Sequence, residues 1–245
     1  WCITVLGIKF SMAETIKTEK NAVVNIDEKK LTELRKLIAD YPDFSGKRLS
    51  HTLSVEKECG VLAGIFGFSG NDRRRLCAAA LLHDITKEKP LDEQLALCRY
   101  YNIGYPDEAV RSPKVFHEWT ASAVMRNKYA EYCDEEMCSA VFVHTTGRED
   151  MTLFESLLYL ADYIEPSRRF ESCVAVRRYF YEGVSGITCS EIDRKNSLRI
   201  LLLKAMLKSF DYTIEELIGE QEEIFYLTIK SRNSLVYKLA GQNLS

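Results

Sequence analysis

The sequence predicts an all-α protein, and three kinds of observation carry that prediction. Apolar residues recur at helical spacing almost from end to end. Capping residues stand ahead of the periodic stretches, with Gly or Pro behind them. The β-type runs, such as Val23-Val24-Asn25-Ile26, are too isolated to build a sheet.

Asp27 is placed to cap a first helix with Leu31, Leu34, Leu37 and Ile38 on one face, ended near Tyr41-Pro42. A second is expected from about Lys47 to Phe66, with His51, Val55, Cys59 and Leu62 in one stripe and Gly67 and Gly70 as breakers. Asn71 is placed to cap a third, whose end presents His83 and Asp84. Pro90 opens a fourth through Tyr101, and Asn102 to Arg111 reads as a loop. Ser112-Pro113 is a helix entry, with His117 in the early turns. Asp134 caps the stretch that ends at His144 and stops at Gly147. The segment MTLFESLLYLADYIEP carries Asp162 and is terminated by Pro166. Further helices start near Glu171 and Ser190, and a last amphipathic one includes Ile214 to Tyr226. This organisation gives an N-terminal extension over residues 1–26, a helical domain over 27–210 and a C-terminal helical extension over 211–245.

A chain of 245 residues supports one substantial core with an appendage. The formal net charge of -3 gives no global reason to bind nucleic acid or membrane. The basic runs Arg73-Arg74-Arg75 and Arg177-Arg178 read as solvated helix faces. Eight cysteines stand singly, without a C-x-x-C pair, which points to buried reduced thiols and a cytoplasmic location. No stretch approaches the ~20 apolar residues of a membrane span. The opening WCITVLGIKF lacks the basic leader and cleavage site of a signal peptide, and Met12 is a candidate natural start.

All four histidines, His51, His83, His117 and His144, fall within or at the end of an expected helix, joined by Asp84 and Asp162. Imidazole and carboxylate suit iron, manganese or zinc, and six such side chains can hold one or two divalent ions. A lone histidine on an apolar helix is ordinarily a satisfied core or surface residue, and His51 or His117 alone would be read that way. The doublet in LLHDITK and the acid inside LLYLADYIEP shift the balance, because ionisable groups after apolar runs are costly to bury without a partner. Other motifs fail. His117-Glu118 begins like H-E-x-x-H, but the fifth position is Ala121. No P-loop or G-x-G-x-x-G occurs, and no local signature makes Ser112 or Ser156 a nucleophile.

With LLHDITK, HTTGREDMT and LADYIEPSR in this order, across roughly Leu49 to Arg178, the chain resembles the HD-domain phosphohydrolases. More narrowly it resembles the YqeK-like symmetrical bis(5′-nucleosyl)-tetraphosphatases of bacteria. The resemblance implies an HD-domain helical bundle with a metal site at its centre. It implies iron, as one or two ions, with manganese, cobalt or zinc as alternatives. It implies hydrolysis of diadenosine tetraphosphate into two ADP by metal-bound hydroxide. Carried over by motif, His51, His83, Asp84 and Asp162 are the metal ligands, and His117 and His144 bind a second ion or grip phosphate. Lys87 and Arg168 are phosphate contacts, Thr145 offers a hydroxyl, and Asp84 and Lys87 are the catalytic pair.

The expected partner is a nucleotide substrate, with a homodimer compatible with the pattern. The chain departs from that pattern in the length ahead of His51, in the tail after Phe210, and in Trp119, which is expected to pack in the core rather than stack on a base. Two alternatives stay open. One is an HD phosphohydrolase acting on guanosine tetraphosphate, a deoxynucleotide or a nucleoside monophosphate; the other is a metal-containing nucleotide sensor without turnover. The cyclic-dinucleotide branch is disfavoured, because its H-H-E…G-Y-P signature is absent.

Overall fold

A computed structural model describes residues 22–188 and 190–242. The expectations for Met12, Cys2, Cys189 and most of the 1–26 extension lie outside those residues. Among the described residues the chain forms ten α-helices and no strand. They are α1 (Glu28–Ala39), α2 (Gly46–Ile65), α3 (Gly70–Leu82), α4 (Leu91–Tyr100), α5 (Phe116–Lys128), α6 (Glu135–Phe142), α7 (Leu153–Ile164), α8 (Glu171–Gly186), α9 (Glu191–Gly219) and α10 (Tyr226–Gln242).

Local chemistry sets most of the starts. Side chains of Asp27, Ser45, Asp134, Thr152 and Ser190 each accept the backbone N–H of the third residue of the helix that follows. Thr152 and Glu155 satisfy each other's backbone N–H as a capping box.

The centre is α3, apolar almost all round from Leu76 to Leu82 and buried throughout that run. Its alanines Ala78, Ala79 and Ala80 leave room for α2 alongside, while α7 packs on both. Phe180, Phe210, Leu34, Ile38, Leu62 and Leu81 close the core. Burying one such side chain contributes roughly 1.5–3 kcal/mol, so α2, α3 and α7 form the rigid frame for the site. A smaller cluster of Cys98, Val115, Phe116, Trp119 and Phe225 joins α4 and α5 to the segment before α10. Trp119 is buried there against Phe116, Phe142 and Phe225, as a core residue.

Several expectations need correction. Leu37 is exposed, so the buried stripe of α1 is Leu31, Leu34 and Ile38. Ser69, not Asn71, stands at the N-cap of α3, and the Asn71 side chain instead bonds the backbone of Val24 and Ile26. That bond and the burial of Ile26 pin residues 24–26 to the domain. The expected loop contains a 3₁₀ turn over Asp107–Arg111, and Pro113–Val115 forms another ahead of α5. Ile214 belongs to α9, which runs unbroken through the buried Phe210 to Gly219, and α10 is a separate helix from Tyr226. Arg75 is not solvated: it is buried against Asp134, Glu136 and Asp72. Arg177 likewise turns inward.

Six cysteines, Cys59, Cys77, Cys98, Cys133, Cys138 and Cys173, are free and buried. No helix among the described residues is long and apolar enough to cross a membrane.

Candidate metal centre

His51 stands on the second turn of α2, one turn after Arg48. His83 and Asp84 follow α3 directly, in the turns that lead on to Lys87. His117 is the second residue of α5, His144 lies two residues beyond α6, and Asp162 sits in the last turn of α7. Five of these positions are helix termini or adjoining turns, where a rigid element aims the side chain and the connection leaves an opening. Gly147 closes the turn after His144 with φ +67°, and a Cβ there would meet Phe210 at 2.7 Å, so this turn requires glycine.

The six side chains converge. The Asp84 Oδ2 atom lies 3.4 Å from His83 Nε2 and 3.6 Å from His51 Nε2. Its Oδ1 lies 3.3 Å from His117 Nε2 and 3.5 Å from His144 Nε2. Asp162 Oδ1 lies 3.0 Å from His51 Nε2 and 3.8 Å from His83 Nε2. Three overlapping sets result: His51, His83 and Asp84; His83, His144 and Asp162; and Asp84, His117 and His144. Each has its ligand atoms within 4.8 Å of one another.

The ring orientations follow from what stands behind each imidazole. Nδ1 of His83, His117 and His144 lies 2.6 Å from the carbonyls of Ala80, Lys114 and Val141 respectively. A carbonyl only accepts, so each Nδ1 carries the proton and each Nε2 is turned to the centre. His51 is held the same way by a carboxylate, with Nδ1 3.0 Å from Glu165 Oε1. An imidazole backed by a carbonyl or carboxylate is the usual arrangement of a metal-ligating histidine.

Two observations show that the residues fit a cation. Nε2 of His51 and of His83 are buried without a hydrogen-bond partner, because their carboxylate neighbours lie off the bonding geometry. Nε2 of His117 and His144 face each other at 3.1 Å. Burial and the nearby Lys87 charge push the His117 pKa down to about 3, and burial lowers that of His144, so both rings are neutral at pH 7. Two lone pairs then point at one another; the Lys87 ammonium, 2.9 Å from His117 Nε2, relieves the arrangement in part, and a cation between the rings would relieve it further. Burial opposes ionisation of Asp84, but the His83 and Lys87 charges outweigh it and hold the carboxyl well below its ordinary range.

Each remaining expected residue is present at the rim. Lys87 Nζ lies 2.9 Å from His117 Nε2, and Thr145 Oγ1 lies 3.0 Å from the same atom. Arg168 Nη2 donates to Asp162 Oδ1 at 2.7 Å.

Three residues were missed. Arg48 bonds Asp84 Oδ2 directly, and its place one turn before His51 was a usable signal. Glu165 lies within the LADYIEPSR motif itself. Glu118, fully buried, accepts from the Thr145 and Thr146 N–H groups at 2.9 and 3.0 Å and from Thr146 Oγ1 at 2.7 Å. Burial raises its pKa to about 7 against those bonds. It ties the turn carrying His144 to the helix carrying His117.

Comparison with known proteins agrees with this geometry. The HD domain family profile matches residues 48–167. A Staphylococcus aureus protein named bis(5′-nucleosyl)-tetraphosphatase, symmetrical, is 31% identical over 170 residues, covering 69% of this chain and 84% of that one. A Bacillus subtilis protein of the same name is 29% identical over 190 residues, covering 77% and 89%. The crystal structure of a predicted HD superfamily hydrolase involved in NAD metabolism, from Clostridium acetobutylicum, superimposes with a TM-score of 0.69 at 28% identity, over 87% of this chain and 99% of that one. With its histidine and aspartate set in the order and place that the fold provides, the chain belongs to the HD-domain family, alongside the bacterial symmetrical bis(5′-nucleosyl)-tetraphosphatases.

Proposed function

We propose that this protein is a metal-dependent hydrolase that splits diadenosine tetraphosphate symmetrically into two ADP. The convergence of four Nε2 atoms and two carboxylates on one buried point, with three cationic side chains around it, carries the reading. The names of the relatives supply the substrate class, a bis(5′-nucleosyl) tetraphosphate cut symmetrically, and their agreement disfavours the other nucleotides and the sensor; adenosine as the base comes from the family resemblance.

His51, His83, Asp84 and Asp162 would hold one ion. The second oxygen of Asp84, with His117 and His144, would hold a second ion or face the phosphate. We infer iron from the family resemblance and from a ligand set of nitrogen and oxygen only. Once bound, the ion supplies a water acidified towards neutral pH and positive charge against the phosphate oxygens.

The reaction adds one water across the central phosphoanhydride and releases a diphosphate on each side. The chain's own residues bind and orient. Lys87 and Arg168 offer an ammonium and a planar fork to the polyphosphate, whose charge shifts as the bond breaks. Thr145 can donate its hydroxyl to the same group. Glu165 keeps the His51 proton on Nδ1, so that Nε2 stays available. The six buried free cysteines fit a reducing cytosol.

Product analysis from diadenosine tetraphosphate tests the register of the cut. ADP as the sole nucleotide product is expected, and AMP with ATP would refute symmetric cleavage.

A further inference from the structure

Arg177 belongs to a basic pair whose spacing suggests a solvated helix face, yet its guanidinium is turned into the protein. Nε donates to the Ile164 carbonyl at 2.5 Å, and Nη2 donates to the carbonyls of Glu165 at 2.5 Å and Arg168 at 2.9 Å. Two of these acceptors stand at the end of α7, and the third lies in the turn that follows. Ile164 ends α7, Glu165 leaves the helix with ψ 144°, and Pro166 brings no N–H. The Glu165 carbonyl accepts the Arg168 N–H at 3.1 Å, and the Arg177 side chain from α8 adds donors to it and to the Ile164 carbonyl.

The turn held in this way carries two groups of the metal centre. Glu165 reaches back to His51 Nδ1, and Arg168 reaches forward to Asp162. Ser167, between them, donates its N–H and hydroxyl to the Glu165 carboxylate at 2.6 Å each. The buried Glu58 of α2 accepts from the Tyr181 hydroxyl of α8 at 2.5 Å, and the Arg177 charge favours its ionised form. One planar fork thus ties the end of α7, the start of the following turn and α8 into a fixed relation, with a counter-charge on the helix that bears His51.

We propose that Arg177 is a positioning residue for both ion and substrate: it sets the turn 164–168 so that Glu165 orients His51 and Arg168 meets phosphate. It touches neither ligand itself. The proposal rests on the reading of the site as a metal centre. A lysine at 177 keeps the charge but cannot span three carbonyls in one plane.

The test uses the full chain, with ion affinity read by competition against a chelator, and KM and kcat read with diadenosine tetraphosphate. Arg177→Lys and Arg177→Gln are compared with Arg178→Ala, an exposed neighbour. The expected result is ion binding weaker by about tenfold or more, the range seen for groups behind a ligand, and a raised KM, in an ion-free protein that still folds but melts at a lower temperature because the carbonyls lose their donors. Combining Arg177→Lys with Glu165→Gln is expected to weaken ion binding no further than Glu165→Gln alone, because the first acts through the second. Folded Arg177 variants whose ion affinity and KM match those of Arg178→Ala would overturn the proposal. So would variants that fail to fold, which would assign the residue to stability alone. Asp84→Asn separates the two readings. If it leaves ion binding intact, the metal centre is wrong; if it abolishes binding while Arg177→Lys does not weaken it, only the positioning role falls.

Discussion

Replacing Glu165 with glutamine keeps the shape behind His51 and removes the charge. The Glu165 carboxylate is buried and lies 3.0 Å from His51 Nδ1. Burial disfavours its ionised form, but the donors on His51 and Ser167 outweigh that and bring its pKa down to about 2. It is therefore an anion at neutral pH, pulling the imidazole proton to Nδ1 and raising the donor strength of Nε2. Loss of such a partner weakens metal binding by about 10- to 100-fold, or about 1.4–2.7 kcal/mol at ~1.36 kcal/mol per tenfold. The assay is a chelator competition on the folded variant, paired with a melt of the ion-free protein. Affinity within twofold of the parent chain, in a background where His51→Ala abolishes binding, would refute the claim that the carboxylate tunes the ligand.

Lys87→Ala should retain its metal and lose about 10²-fold or more in kcat, the scale for removing one aimed cation or donor; turnover unchanged in a steady-state assay would remove Lys87 from the site. Arg75→Ala should destabilise by about 3–5 kcal/mol in urea melts, because it strands the buried Asp134 carboxylate; a loss below ~1 kcal/mol, the scale of a surface pair, would contradict that pairing. Metal affinity should rise with pH. Burial would lower the His83 pKa, but Asp84 and Asp162 outweigh it and raise it to about 9 in the ion-free chain. The proton is thus held at neutral pH and must leave when the ion binds, and this competition fades as pH passes about 9. Calorimetry in buffers of different ionisation heat should show proton release at neutral pH, and none would sink the assignment.

The convergence of the candidate ligands was legible because histidine is scarce here and His83, His117 and His144 sit beside helix boundaries that the sequence marks. The residues behind the ligands were harder to see. In the sequence Glu118 reads only as part of a failed protease motif, whereas its role depends on Thr145 and Thr146 folding back onto α5. Arg75 and Arg177 look like surface charge by spacing, because nothing local shows that Asp134 or the end of α7 waits for them. The start of α3 was misplaced since Ser69, Gly70 and Asn71 all have capping character, and the contact with residues 24–26 decides which one caps. The length of α9 was hidden for the opposite reason: no breaker interrupts it before Gly219, so the expected boundary near Phe210 had no local cause.

Elemental analysis of the iron-loaded chain, freed of loose ion on a desalting column and run beside Asp84→Asn, tests the central claim most directly. The account predicts at least one retained ion per chain in the parent protein and loss of it in the variant, because the Asp84 carboxylate stands between both histidine pairs. A parent chain that retains no ion, or an Asp84→Asn chain that keeps the full complement, would contradict it.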